Sequence, residues 1–512
     1  MPGSASEVWI SENMRQTTAS RRRLRLFCGF ALLLLALQIL HLPETLNFTA
    51  FAFGEPGANL SVIYMVRHGM HPNVDFGHVY GLLGLLFSDI WFRIAGLTPA
   101  AYWAGILVME LAMCAVLAEF AVAAELPGLS ILLLFVSFPI FLWVNYLNFG
   151  RAIETLCLMV AVTAHLKGRY GLALAAVGGA VLARPGLGYV YGFLLLCIVM
   201  MKVLRTRSLT LYELVLPVCT TVCLAIVLAW RFGVTSLMRT VFPITGAANY
   251  RALGYGFFDR GMAFWLPSPF ILHFYLGVPG FWLLVCGSVL LLGPLAILRA
   301  RDASAESLRQ YKSEVLGATS VVIFVWVFFA FGHQYIGSWI LYLWLAVWAA
   351  SLLPELFRKY AAVIVVLVLI ALNADRHQIL GTLPQWSTTR ISSLFPYALS
   401  QGNEDQQIKG ILSVVQGHRT VVLTPEGAMP LLHDGLGEPL TEFFVPGGVL
   451  PGDELRMKSA VTAAEMVIVP TPPWSSFDRQ FFSWTDFVDK RSRYRLVLLN
   501  PSGFVLARTS AD

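Results

Sequence analysis

The chain has 512 residues, of which 57% are hydrophobic and 13% charged, about half the charged share of an ordinary soluble domain. That excludes a soluble globular enzyme and points to a polytopic membrane protein. The formal net charge of +6 is no sign of nucleic-acid binding, because much of the Lys/Arg excess lies in short loops beside apolar runs, where it sets topology.

Residues 1–20 are polar and read as disordered, within a cytoplasmic tail 1–23. Arg21, Arg22, Arg23 and Arg25 then lead into the apolar run 24–42. No small-residue cleavage site follows that run, so it reads as a retained span with its N-terminus in the cytoplasm. The first outer loop, 43–100, follows.

Within it, residues 64–81 carry one acid, Asp75, among Arg67, His68, His71 and His78. Pro72, Gly69, Gly77 and Gly81 predict a bent backbone rather than a long regular element. A lone carboxylate at a membrane surface can serve as a general base toward a hydroxyl held beside it. It can equally form a salt bridge with Arg67 or a histidine. The three histidines with Asp75 could also ligate a divalent metal, but their spacing is not diagnostic.

The segment 79–97 is long enough to span, yet it carries Asp89 and Arg93 four residues apart and aromatics suited to an interface. Topology decides. If it spans, the basic loops with Lys167 and Arg169, with Lys202, Arg205 and Arg207, with Arg299, Arg301 and Arg309, and with Arg358 and Lys359 all fall outside. If it lies in the interface as an amphipathic helix, all fall inside, as the charge bias requires. Further spans are predicted at 101–124, 128–147, 150–166, 170–184, 187–204, 211–230, 273–299, 315–332, 336–353 and 359–373, each long enough, or nearly so, for about 30 Å of hydrocarbon. The run 170–184, short and rich in Gly and Ala, is the weakest.

The expected architecture is therefore a polytopic α-helical membrane domain, 24–373, with eleven transmembrane helices and one interfacial helix. A small extracytoplasmic α/β domain, 374–512, follows. Its helix is expected at 405–416 and its strands begin at Thr420, Met466, Tyr494 and Gly503. The seven cysteines all lie in hydrophobic runs, so neither a disulfide framework nor a zinc spacing is implied.

This topology gathers several polar groups on the outer face with Asp75. Ionisable groups at span boundaries are costly and hence functional candidates. Arg151 and Glu154, next to Asn148, could pair with each other or meet a ligand. Arg184, before Pro185 and Gly186, could snorkel to lipid phosphate or bind a specific phosphate through its planar fork. The loop 231–272 sets Tyr255 beside Arg251 and Arg260, suited to sugar stacking and phosphate binding or to interfacial anchoring. His333 and Gln334 interrupt two apolar runs, at a simple turn or at a site.

The stretch 69–81, Gly-Met-His-Pro-Asn-Val-Asp-Phe-Gly-His-Val-Tyr-Gly, and the run 178–185, Gly-Gly-Ala-Val-Leu-Ala-Arg-Pro, together with the order of spans and loops, resemble the GT-C superfamily of membrane glycosyltransferases. These include protein O-mannosyltransferases and aminoarabinose transferases. The resemblance implies a catalytic-acid position at Asp75 and a donor-phosphate role for Arg184, which Arg251 or Arg260, and His333, could share from the same outer face. His71, Tyr80, Asn148, Arg151, Glu154 and Tyr255 are the expected substrate contacts. It further implies a polyprenyl-phosphate-linked sugar donor, a lipid, glycan or protein acceptor, surrounding membrane lipid, and the inner membrane of a bacterium. It names no certain cofactor, and a divalent metal stays open. Some members carry an acid pair in the first loop. Here Glu44 and Glu55 are the other acids of 43–78, neither adjacent to Asp75, so sugar and acceptor stay open. The rival readings are a transporter or lipid flippase, which calls for mid-membrane polar groups and internal repeats, and a non-catalytic component of polysaccharide assembly.

Overall fold

The computed structural model describes residues 5–40, 55–78, 80–96, 99–123, 131, 148–185, 188–189, 192–193, 195–196, 199, 210–242, 410–422, 438–439, 459–470, 494–500 and 503–509. The spans expected at 128–147, 187–204, 273–299, 315–332, 336–353 and 359–373 lie outside these residues, apart from residue 131 and seven positions of 187–204.

Helix α1 runs from Ala5 to Leu40. The polar segment read as disordered is therefore helical from Ala5 onward, a correction with a simple cause: no proline interrupts these residues, and polar helix formers continue the hydrogen-bond ladder begun by the apolar half. A second difference lies in the first loop, where Glu55–Arg67 forms helix α2. Pro56 stands in its first turn, where a missing N–H leaves no bond unmade. Leu60, Val62, Ile63, Met65 and Val66 bury its apolar residues.

Helix α3, Leu82–Ala95, has 14 residues, about 21 Å of rise, short of a bilayer core of about 30 Å. Leu82, Leu85, Ser88, Asp89 and Phe92 are buried on one side, while Ile90 and Ile94 are exposed. Helices α4 (Pro99–Ala123), α5 (Phe149–Leu166), α6 (Tyr170–Ala183) and α7 (Leu211–Phe232) follow. Of these, α4, α5 and α7 are long and apolar enough to cross a membrane, and α6 is shorter. The eight-residue α8, Val234–Val241, leaves α7 at Gly233.

The bundle is centred on aromatic rings from three helices. Tyr102 packs edge-on against Phe149 at 5.2 Å, and Phe92 against Phe149 at 5.7 Å. Such pairs add about 0.5–1.5 kcal/mol beyond burial. Two close approaches then fix α3. A Cβ on Gly84 would stand 2.5 Å from the Gly150 Cα, and one on Gly81 would overlap the backbone of Leu182 and Ala183. The Gly81 amide donates to the Ala183 carbonyl at 2.8 Å, so the start of α3 lies against the end of α6. Gly81→Ala should therefore cost about 1–3 kcal/mol by overpacking, read as a lower melting temperature in detergent. Gly410→Ala, with nothing within 4 Å, should leave it unchanged.

The two ends of α5 differ. At its C-terminal end Glu119 of α4 binds Arg23 of α1 at 2.6 Å and also Lys167. Its N-terminal end, some 27 Å away for 18 residues, faces the first loop.

Farther along the chain, β1 (Thr420–Val422), β2 (Glu438–Pro439), β3 (Met466–Pro470), β4 (Tyr494–Asn500) and β5 (Gly503–Arg508) form one sheet in the order β2-β1-β3-β5-β4. The first three strands are parallel, and β5 is antiparallel to β3 and β4. Four of them start at the residues expected from the alternating apolar runs. Residues 410–415 are helical, and Ile411 and Val415 cover Met466, Ile468, Val505 and Ala507, with Tyr64 of α2 against the same small core.

Candidate active site

The first-loop turn is built from its own amides and seated on α8. Asn73 takes a left-handed backbone (φ 58°), which its short polar side chain tolerates by bonding locally. Its Oδ1 accepts from the His78 amide at 2.9 Å, and its Nδ2 donates to Thr240 Oγ1 at 2.8 Å. Arg239 donates to the Asn73 carbonyl at 2.9 Å, and Ser236 Oγ donates to the Pro72 carbonyl at 2.6 Å. His71 Nδ1 donates to the Phe232 carbonyl at 2.9 Å.

Asp75 closes this turn. Its Oδ2 accepts from the His71 amide at 2.6 Å, and its own amide donates to the His71 carbonyl at 2.9 Å. The carboxylate is half-buried and oriented by backbone. The alternative partner, Arg67, turns instead to Asp89, with Nε 3.1 Å from Oδ1. The histidines part company: His68 donates through Nδ1 to the Tyr64 carbonyl at 2.9 Å, while His78 meets the Tyr80 ring edge-on at 6.0 Å. Among the described residues no group of three His, Cys, Asp or Glu is arranged to hold a metal ion.

Four residues singled out in the sequence, Asn148, Arg151, Glu154 and Arg184, come together around Tyr80. Its ring is buried, with the guanidinium carbon of Arg151 at 5.5 Å and that of Arg184 at 5.8 Å from its centre. Both distances fall within cation–π range. Arg184 also meets Glu154, Nη1 to Oε2, at 3.6 Å. The Arg184 side chain is only 12% exposed and lies at the C-cap of α6, so it faces the bundle instead of snorkelling to lipid. Asn148, expected to touch substrate, is fully buried and caps α5, its Oδ1 accepting from the Arg151 amide at 2.8 Å. That bond satisfies one of the amides orphaned at the helix start, which gives Asn148 a structural task. Two guanidiniums thus converge on one ring, with Glu154 beside Arg184, a basic arrangement of the kind that can hold a phosphate.

A second basic group was visible only in part. Asp89 was legible as an i,i+4 partner of Arg93, and they do pair at 3.2 Å. Arg67 and Arg231 add themselves from α2 and α7, the latter at 2.9 Å. Burial alone would raise the Asp89 carboxyl. The hydrogen bonds from Arg231, Arg93 and Arg67 outweigh it and hold the group below its ordinary value. Arg251, Tyr255, Arg260 and His333 lie outside the described residues.

No protein-family model matches the chain, and no curated protein matches it. Among solved structures, the crystal structure of ArnT from Cupriavidus metallidurans bound to undecaprenyl phosphate is similar at 11% sequence identity, covering 94% of this chain and 98% of that one, with a TM-score of 0.37.

Proposed function

We propose that this protein is an integral membrane glycosyltransferase that moves a sugar from a polyprenyl-phosphate carrier to an acceptor hydroxyl on the extracytoplasmic face of a bacterial inner membrane. The observation that carries the reading is the convergence of Arg151 and Arg184 on Tyr80, five residues after the carboxylate oriented by the first-loop turn.

The chemistry needs one base and positive charge on the leaving group. Asp75 takes the proton from the acceptor hydroxyl. The hydroxyl oxygen attacks the anomeric carbon, the bond from that carbon to the phosphate oxygen breaks, and the phosphate leaves with the electron pair. Guanidiniums stabilise the charge that builds on it. A single displacement inverts the sugar carbon. Glu154 holds Arg184 in register, and Tyr80 supplies the face on which both arginines rest. Arg251, Arg260 and His333 are further candidates for the phosphate, and His71 and Tyr255 for the sugar or acceptor.

Incubation of the purified protein with radiolabelled polyprenyl-phosphate sugars and crude membranes tests the reading. Label should pass to an acceptor from at least one donor, and failure with every donor of the class would overturn it. Arg184→Lys keeps a cation opposite Glu154 but loses the planar fork. It should weaken donor use about tenfold, the worth of one charge-assisted hydrogen bond, with folded yield intact. Unchanged donor affinity would remove Arg184 from the phosphate site.

A further inference from the structure

We propose that Arg67, Arg93 and Arg231, gathered round Asp89, form a binding site for the phosphate of an anionic lipid headgroup. Three cations meet one carboxylate there, a surplus of two positive charges among the described residues. One guanidinium would suffice to pair Asp89, so the cluster holds more charge than a structural bridge needs. Arg93 and Arg231 each reach the Asp89 carboxylate through Nε and Nη2, and Arg67 reaches it through Nε while its Nη2 donates to the Asp89 carbonyl. Nη1 of each guanidinium stays outside these bonds. The carboxylate thus sets three planar forks and leaves donors over, which suits the several oxygens of a phosphate.

The surroundings say what the phosphate is attached to. Arg93 is 61% exposed, between Ile90 and Ile94 on the exposed side of α3, and Trp230, immediately before Arg231, is 85% exposed. Exposed isoleucines and an indole interleaved with arginines match a helix lying at the boundary between headgroups and acyl chains. A phosphate at that depth comes with a lipid. Asp89 stands about 12 Å along α3 from Gly81, so this group is separate from the Tyr80 pair, and the proposal does not rest on sugar transfer.

The test titrates the full chain, purified in detergent, with phosphatidylglycerol or phosphatidylcholine and counts retained lipid by native mass spectrometry, with inorganic phosphate as competitor. The expected result is preferential retention of phosphatidylglycerol, weakened about tenfold in Arg93→Gln and partly in Arg93→Lys, with little displacement by inorganic phosphate. Arg93 is the outermost of the three, so both variants should fold. Parent-like retention in Arg93→Gln would overturn the site. Parent-like retention in Arg93→Lys, with loss in Arg93→Gln, would reduce it to general surface charge and overturn it too. Full displacement by inorganic phosphate would assign the cluster to a free anion and remove the lipid.

Discussion

Asp75→Asn should abolish sugar transfer while leaving the protein folded. The carboxylate Oδ2 accepts one hydrogen bond from the His71 amide, and an asparagine carbonyl oxygen can accept the same bond, so the turn on α8 survives the change. What asparagine cannot do is take a proton from the acceptor. Loss of a general base lowers the rate by about 10²–10⁴-fold. If Asp75 served only to brace its turn, the substitution would exchange a charged for a neutral acceptor opposite the His71 amide, on the order of 1 kcal/mol, visible in stability and silent in rate per folded molecule. Transfer activity normalised to folded yield separates the two, with Glu55→Gln as the control for loss of another first-loop acid. Retained activity in Asp75→Asn would end the catalytic assignment.

The largest effect on stability is expected at Asp89. Replacing it with alanine leaves the part-buried guanidiniums of Arg67 and Arg231 and the exposed one of Arg93 facing one another with no carboxylate between them. Removing one partner of a buried ionic group typically costs about 3–5 kcal/mol, a large share of a total stability of about 5–15 kcal/mol. Removing only the exposed Arg93 should cost about 0–1 kcal/mol, as for a surface ion pair. The pH dependence has a definite sign. Because the folded-state pKa of Asp89 lies below the ordinary 3.8, its stabilisation is complete above that value and is lost only as pH falls through the depressed one. The gap in melting temperature between parent and Asp89→Ala should therefore be flat from neutral pH to about 5 and close in stronger acid. No gap at neutral pH would mean that the cluster contributes nothing to holding α2, α3 and α7 together.

The long apolar helices were readable because a bilayer imposes length and composition at once, and α4, α5 and α7 satisfy both within a few residues of the expected bounds. The strands beginning at Thr420, Met466, Tyr494 and Gly503 were readable because short runs of β-branched, aromatic and aliphatic residues between turn residues favour a strand. The bent turn at 69–81 followed from Gly and Pro, whose backbone preferences act locally. Helix α2 was missed because 43–100 was read as one outer loop from its place after the first apolar run, and Pro56 is accepted in a helix's first turn. The tail from Ala5 was missed because a polar helix has no hydrophobic period to betray it.

Arg184 could be singled out from its sequence surroundings, but its two fates, lipid or interior, differ only in which way the end of α6 faces. The contact of Gly81 with Ala183 decides that. Asp89 is the sharpest case. Its partner Arg93 is one helical turn away and visible to any reader of spacing, whereas Arg67 and Arg231 lie 22 and 142 residues away. Chain-local rules reach only as far as a turn of helix or a pair of strands. Which distant charges share one carboxylate is settled when α2, α3 and α7 pack, because only then do Arg67 and Arg231 come within reach of the buried Asp89.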